Sequence, residues 1–137
     1  MKILILISLF IVIPNCLLRA QDYIGLTHGQ VENKLKGLRF EEHHDSNEIP
    51  IIIAYILNGN GQAKYFFRKD NGICYYCVIL VKNAGKDSLM TLFGAPSYQI
   101  NPTNNGWSRQ TNIGIEYIKE ETKGTDIYQF TCSVRQN

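Results

Sequence analysis

The N-terminal stretch of the chain is almost entirely apolar. Lys2 precedes a run of Ile, Leu, Phe and Val with a single Ser, over residues 3–13. A positively charged start, a short apolar segment and a small residue, Ala20, before Gln21 are typical of a cleavable secretory signal. The run is about half of the roughly 20 apolar residues that a membrane-spanning helix needs. The pattern predicts a signal peptide at residues 1–20 and a secreted or periplasmic mature chain without a membrane span. A buried N-terminal helix is the alternative, but the run has no polar face to turn toward water.

Cys16 allows a second interpretation of this leader. Lipid-anchored exported proteins carry a small residue immediately before the modified cysteine, and here Asn15 precedes Cys16. A lipid chain at Cys16 would change a soluble mature protein into a membrane-anchored one. Cleavage before Gln21 is the favoured interpretation, and lipidation of Cys16 stays open beside it.

The best-marked element of the mature chain is a helix that begins after Thr27. Thr27 is followed three residues later by Gln30, which is the capping-box pattern of a helix start. Val31 and Leu35 then fall on one face, four residues apart. Gly37 lies just after the predicted helix, where many helices end with a glycine in the left-handed conformation. The pattern predicts one short amphipathic helix between Thr27 and Gly37.

The rest of the chain alternates β-branched or aromatic runs with Gly, Asn and Asp turns, which predicts an antiparallel meander. A second helix is expected near residues 87–93. The segment 73–81 is apolar at nearly every position, so we expect a central strand buried on both faces. Strands are expected at residues 38–42, 50–57, 63–68, 73–81, 107–111, 113–120 and 127–134.

The two halves of the mature chain share an order of features. Residues 21–82 and residues 83–137 each contain a helix, a short strand, a loop and hairpin strands. The segment Tyr65–Leu80, with its Asp-Asn-Gly turn, resembles Tyr117–Val134. The prediction is an α+β fold of two tandem units, each a helix followed by an antiparallel meander sheet. The two sheets could join into one continuous curved sheet.

Charge excludes one class of partner. Without Lys2 and Arg19 the mature chain has 12 basic and 12 acidic residues. Nucleic-acid binding needs a clustered basic surface, so we expect no nucleic-acid partner. The mature chain of 117 residues is long enough for a real hydrophobic core. The sequence does not indicate an oligomeric state.

Three cysteines, Cys74, Cys77 and Cys132, follow the leader, so at least one stays unpaired or pairs between chains. The spacing of Cys74 and Cys77 matches redox motifs, which act at a helix N-terminus. Within a strand, however, residues three apart project to opposite faces, which argues against a redox pair or a local disulfide. A disulfide between Cys77 and Cys132 stays open. Three buried thiols that pack as small apolar groups are the plain alternative.

Histidines and carboxylates are concentrated in the segment Glu41–Asp45, which includes His43 and His44. Consecutive side chains at a strand end diverge, whereas a zinc site needs convergent ligands, so we predict no metal site there. Neither a nucleophile-elbow motif nor a complete dinucleotide motif is present. We therefore predict no cofactor, no catalytic residue and no enzymatic activity. A hydrolase or thiol enzyme would need His43 or Cys74 in a concave pocket.

Aromatic residues are abundant, and they provide the candidate partner site. An exposed aromatic patch on a sheet usually marks a binding surface, although most rings in a protein belong to its core. The candidate contact residues are Tyr55, Tyr65, Phe67, Tyr75, Trp107, Tyr117 and Tyr128.

The segment Tyr23–Val31, followed by Leu35 and Gly37, resembles a known helix-opening motif. It is similar to the start of the repeat in β-lactamase inhibitor proteins and to the small outer-membrane lipoproteins of the SmpA/OmlA type. Both open with a Gly, a small apolar residue, Thr or Ser, and then Gln or Glu and Val. The resemblance implies a tandem helix-then-sheet fold whose open, aromatic-rich sheet binds another protein.

Together these observations predict an exported, non-enzymatic protein that binds another, unidentified protein through an aromatic-rich sheet face. The alternative function is a cell-envelope assembly or structural module held at the membrane by a lipid on Cys16.

Overall fold

The structure is a computed structural model that describes residues 23–56, 59–83, 85–87, 90, 98–101, 106–111, 113–122 and 126–135. The signal peptide predicted at residues 1–20 and Cys16, the residue considered for lipidation, lie outside the described residues. None of the helices in the described part of the chain is long and apolar enough to cross a membrane.

Helix α1 spans His28–Lys34 and begins where the capping pattern predicts. The backbone N–H of Gln30 donates to the Thr27 hydroxyl, and the Gln30 side-chain oxygen accepts from the Thr27 backbone N–H at 2.9 Å. These two bonds satisfy donors that the first turn of a helix otherwise leaves unpaired. Gly37 has a φ of +95°, which only glycine adopts without strain, so the chain turns away there.

In the described part of the chain, eight strands form one fully antiparallel sheet, which confirms the antiparallel meanders of the predicted α+β fold; the fold is sheet-rich and its described helices are short. All seven predicted strands are present within two residues of their predicted ends. The short strand β5 was not predicted. The strands are β1 (Phe40–His44), β2 (Pro50–Ile56), β3 (Gly61–Phe67), β4 (Cys74–Lys82), β5 (Gln99–Asn101), β6 (Gly106–Thr111), β7 (Gly114–Thr122) and β8 (Ile127–Arg135).

The spatial order of the strands is β1-β2-β3-β4-β8-β7-β6-β5. Each half of the chain therefore contributes a four-stranded meander, and the last strand of one meander pairs with the last strand of the other. In the β4–β8 pairing Cys77 lies directly opposite Cys132. The sheet is continuous across this junction.

The core lies on one face of the sheet. Val31 and Leu35 of α1 are fully buried against it, and the rings of Tyr23 and Tyr65 stand 5.0 Å apart. Strands β2 and β3 alternate buried and half-buried positions, as strands with one covered face do. The sheet residues that form this core are Ile52, Ala54, Ile56, Ala63, Tyr65, Phe67, Cys74, Cys77, Ile79, Val81, Trp107, Ile118, Phe130 and Cys132.

A second helical segment lies on the same side of the sheet. Asn83, residues 85–87 and Met90 are helical, so it begins before the predicted 87–93, and the rest of that range lies outside the described residues. The Lys86 ammonium is 3.7 Å from the centre of the Tyr128 ring and 3.0 Å from the Glu120 carboxylate, both on the covered side. Both described helical segments therefore cover one face only.

Strand β4 is central, as predicted, but it is not buried on both faces. Cys77, Ile79 and Val81 are buried, whereas the alternating side chains of β4 on the other face are half-buried. An apolar sequence on both faces of a strand predicts burial only where a second layer covers the other face. The expectation of burial on both faces was wrong, because both described helical segments lie on the same side.

Candidate functional site

The sheet face opposite the helices is called the open face below. Most of its apolar side chains are half-buried, and apolar and aromatic residues are interspersed with polar ones. Alternation places these residues on the same side, because cross-strand partners in a sheet share a face. The half-buried apolar members are Ile51, Ile53, Tyr55, Phe66, Tyr76, Val78, Leu80, Ile115 and Tyr117.

One row of cross-strand partners crosses the open face from edge to edge. Phe66 lies opposite Tyr76, and their ring centres are 5.7 Å apart. Tyr76 in turn lies opposite Ser133 of β8, and Ser133 lies opposite Tyr117 of β7. The small Ser133 therefore separates two aromatic side chains at the middle of the face. In order across the sheet the row is His43, Ile51, Phe66, Tyr76, Ser133, Tyr117, Ser108 and Gln99.

The surface has a depression beside Ser133. Neighbouring strands lie about 4.8 Å apart, so Tyr76 and Tyr117 stand on strands about 9.5 Å from each other with a serine between them. A depression of about 380 Å³ adjoins this gap, and it is lined by Trp107, Tyr117, Thr131 and Ser133 among others.

A second depression of about 250 Å³ lies at one end of the open face, near the β2–β3 turn. Tyr55, Gln62 and Leu80 line it from the open face. The guanidinium of Arg39 lies 4.5 Å from the centre of the Tyr55 ring, which holds the ring in place by a cation–π contact.

Polar groups border the aromatic part of the open face. At the β1 edge the Arg39 guanidinium donates a hydrogen bond to the Glu41 carboxylate at 3.3 Å, and the His43 Nε2 lies 3.5 Å from the other carboxylate oxygen. Desolvation is the largest single influence and raises the pKa of this carboxyl, but hydrogen bonding from His43, Tyr55 and Arg39 and the charge of Arg39 together hold the pKa below its ordinary value. On the other half, Lys119 pairs with Glu121 at 3.2 Å. The open face therefore combines apolar rings with charges of both signs.

The seven aromatic residues predicted as contacts fall into three groups. Tyr55 and Tyr117 lie on the open face. Tyr65, Phe67 and Trp107 are buried in the core and have almost no surface to offer a partner. Tyr128 lies half-buried on the covered face under Lys86. Side chains alternate along a strand, so a core residue can stand next to an open-face ring in the sequence, as Phe67 stands next to Phe66 on β3.

Tyr75 is 44 % exposed, but it lies at a β-bulge rather than in the row. The pairing of β3 with β4 shifts between Phe66 and Phe67, so Phe66 pairs with Tyr76 and Phe67 with Cys74. Tyr75 is the extra residue, and Arg68 stacks 5.3 Å from its ring centre. Phe66 and Tyr76 were missed as contacts; the alternation of β3 was a signal that could have found Phe66.

The bulge also corrects the expectation for the cysteines. Cys74 and Cys77 pair with Phe67 and Tyr65, which both point into the core, so the two thiols share a face. The prediction that they point to opposite faces was wrong, because it assumed a regular strand. Cys132 joins them from β8, directly opposite Cys77, and all three are buried free thiols in the structure.

The environment of Cys74 and Cys77 favours the neutral thiol at both positions. Burial raises the pKa of Cys74 to about 12. Burial and a hydrogen bond with Cys132 raise the pKa of Cys77 well above its ordinary value. Cys74 lines a depression of about 170 Å³, together with Arg68 and Tyr75 among others, yet its side chain has no exposed surface. Because the thiolate is the reactive form, these sites disfavour thiol chemistry near neutral pH.

The cluster in residues 41–45 separates as predicted. Glu41 and His43 lie on the open side of β1, 3.5 Å apart, whereas Glu42 and His44 point to the helix side. His43 is more than half exposed at the edge of the sheet.

Comparisons with family models, with curated proteins and with solved structures found no match.

Proposed function

We propose that the mature chain is an exported, non-enzymatic protein that binds another protein through the open face. The observation that carries this proposal is the row Phe66, Tyr76, Ser133 and Tyr117, which presents aromatic rings on the side away from both described helical segments. Aromatic side chains at the centre of a patch, with polar groups around them, are the usual composition of a protein-binding surface.

The gap between Tyr76 and Tyr117 is the proposed anchor point. Ser133 lies between the strands that carry these two rings, and the depression lined by Tyr117, Thr131 and Ser133 adjoins it. A partner residue inserted there would be desolvated on several sides, which is the environment in which single side chains contribute most to binding. The partner is expected to offer an aromatic or branched apolar side chain flanked by charged groups that complement Lys119 and Glu121.

The strand order supports the same proposal. Strands β1 to β4 and β5 to β8 each form a meander, and the two meanders meet at β4 and β8. We propose that residues 21–82 and 83–137 are two units of one design. Joining them edge to edge makes an eight-stranded face larger than either unit could supply. The similar segments Tyr65–Leu80 and Tyr117–Val134 occupy the third and fourth strands of each unit.

Site-specific photocrosslinking tests the binding proposal. A photoreactive phenylalanine analogue replaces Tyr117 on the open face, and in a matched control it replaces Lys36, which is exposed just after α1. Both proteins are expressed in the native host and irradiated. The proposal predicts a discrete adduct with one protein from position 117 and none from position 36.

The variant Ser133→Phe sharpens this experiment, because it fills the proposed anchor point. We expect it to remove the adduct formed from position 117 while thermal unfolding stays close to that of the parent protein. Equal adducts from positions 117 and 36, or an adduct that Ser133→Phe leaves unchanged, would show that the open face is not the binding surface.

Export is tested separately by mass spectrometry of the protein from its native source. A mature chain that begins at Gln21 supports the signal peptide proposed at residues 1–20. A chain that begins at a lipid-modified Cys16 would support the membrane-anchored alternative instead. A chain that keeps Met1 and residues 2–20 would contradict export.

A further inference from the structure

Two acidic side chains and a histidine meet between α1 and β1, on the covered side of the sheet. His28 is the first residue of α1, Glu32 follows one turn later, and Glu42 lies on β1. One ligand atom from each of these three residues lies within 4.8 Å of the other two. The His28 Nε2 atom is 2.8 Å from Glu42 Oε2, and His28 Nδ1 is 3.7 Å from Glu32 Oε2.

Local structure explains why these residues converge. Residues four apart on a helix share a face, which places Glu32 beside His28. Alternation along β1 turns Glu42 toward the helix and Glu41 away from it. The ring of His28 packs edge-on against Phe67, with ring centres 5.1 Å apart, so the core fixes the position of the imidazole.

The cluster is also rich in negative charge. In the described part of the chain, the ion-pair partners of Glu32 and Glu42 are the histidines His28 and His44, and neither carboxylate pairs with a lysine or arginine. The three side chains are between 29 % and 41 % exposed, so a cation can enter from solvent. A positive ion would relieve the repulsion between the two carboxylates.

We propose that His28, Glu32 and Glu42 form a binding site for a divalent transition metal of the zinc class. One imidazole nitrogen and two carboxylate oxygens are a donor set that zinc accepts, and water would complete a four-coordinate site. Zinc ligands at 2.0–2.2 Å stand about 3.3 Å from one another. Glu42 lies beside Nε2 of the His28 ring and Glu32 beside Nδ1, so one carboxylate must move around the ring to share an ion bound at the other nitrogen. Glu32 is the most exposed of the three and can make most of this movement by rotating its side chain.

The consequence of metal binding would be a clip between α1 and β1. His44 strengthens the case, because its Nε2 lies 3.4 Å from the second oxygen of Glu42 and holds that carboxylate from the other side. The site lies on the face opposite the proposed partner surface, so metal binding and partner binding are separable.

Isothermal titration of the tag-free mature protein with Zn²⁺ tests the proposal. We expect one ion per chain with a Kd below about 10 μM, together with a higher Tm in Zn²⁺ than in a chelator. His28→Ala and Glu32→Gln should each weaken Zn²⁺ binding by at least about tenfold. Glu32→Gln is the safer variant, because this exposed side chain contributes little to the fold.

His43→Ala is the matched control. His43 has a carboxylate neighbour, Glu41, at 3.5 Å, but this pair lies on the opposite side of β1. The variant should keep the affinity of the parent protein within about twofold, a difference well under 1 kcal/mol. Absence of Zn²⁺ binding to the parent protein would overturn the proposal. A Kd unchanged in Glu32→Gln, or weakened as much in His43→Ala, would overturn it equally.

Discussion

Single positions in this protein differ sharply in how much space surrounds them, and two glycines illustrate the extremes. A Cβ atom added at Gly106 would overlap the backbone oxygen of Ile118. A Cβ added at Gly29 in α1 would meet nothing within 4 Å. Gly106 is required because β6 and β7 approach each other closely there. Gly29, in contrast, lies at a helix position that has room for a side chain.

These glycines give a paired prediction. Gly106→Ala should lower the free energy of unfolding by about 1–3 kcal/mol, because β6 or β7 must move to relieve the overlap. Gly29→Ala should raise it by up to about 1 kcal/mol, because alanine is the better helix former. Urea denaturation followed by circular dichroism measures both. Equal effects of the two substitutions on the free energy of unfolding would contradict the close packing of β6 against β7 at Gly106.

The buried thiols give a prediction of pH dependence. A thiol in the unfolded chain ionises near its ordinary pKa of 9.0, whereas burial raises the pKa of Cys74 to about 12. The folded protein then holds the proton more tightly, so stability is complete below pH 9 and is lost as pH rises from there. Under reducing conditions, the free energy of unfolding should fall by about 2 kcal/mol more between pH 9 and pH 10.5 in the parent protein than in Cys74→Ala. Parallel pH profiles for the two proteins would contradict a buried, neutral Cys74.

At the scale of single elements, the capping box of α1 can be tested directly. Thr27→Ala removes the hydroxyl that accepts the Gln30 N–H, and we expect a loss of about 1 kcal/mol in the free energy of unfolding. Thr27→Ser keeps the acceptor and should cost only a few tenths of a kcal/mol. Urea midpoints at constant slope distinguish the two. If serine and alanine cost the same, the hydroxyl does not cap the helix.

The elements that the sequence predicts well are those whose signals are local. Thr27 and Gln30 specify the start of α1 within one turn, and the alternation in Gly61–Phe67 shows which side of β3 is covered. The bulge at Tyr75 could not be predicted, because it depends on how β4 pairs with β3. Because Tyr75 is an extra residue in β4, Cys74 points to the core face and Tyr75 itself lies outside the row of open-face rings.

The same distinction applies to the two candidate sites. Tyr55 and Tyr117 were identified as aromatic candidates, but only the strand register shows that Ser133 lies between Tyr76 and Tyr117. The metal cluster joins His28 to Glu42, which is fourteen residues later. A contact across that distance depends on the packing of α1 against β1, which composition and spacing do not encode. Zinc titration of the parent protein and its variants tests this metal cluster.

The edges of the sheet show how the whole molecule limits its contacts. Strand β1 at one edge carries two glutamates and two histidines, and β5 at the other edge has only three residues. Charged and very short edge strands discourage edge-to-edge pairing with other chains. The broad open face is therefore the better candidate for a specific contact than either edge.

At the scale of the whole molecule, the account depends on a sheet that is covered by helices on one side and accessible to solvent on the other. Both described helical segments contact the side that carries Phe67 and Tyr128. The rings of the open face are only half-buried, whereas Tyr65 and Phe130 are almost completely buried. The proposed binding function needs this difference, since rings covered on both sides could not reach a partner.

Hydroxyl-radical footprinting of the mature protein at low concentration measures this difference most directly. Oxidation is read by mass spectrometry at Tyr55, Phe66, Tyr76 and Tyr117 and compared with oxidation at Tyr65 and Phe130. We predict that the first four side chains are oxidised several-fold faster than the last two. Equal protection of both groups in the native protein would mean that the face is covered, and the proposed partner surface would then have no basis.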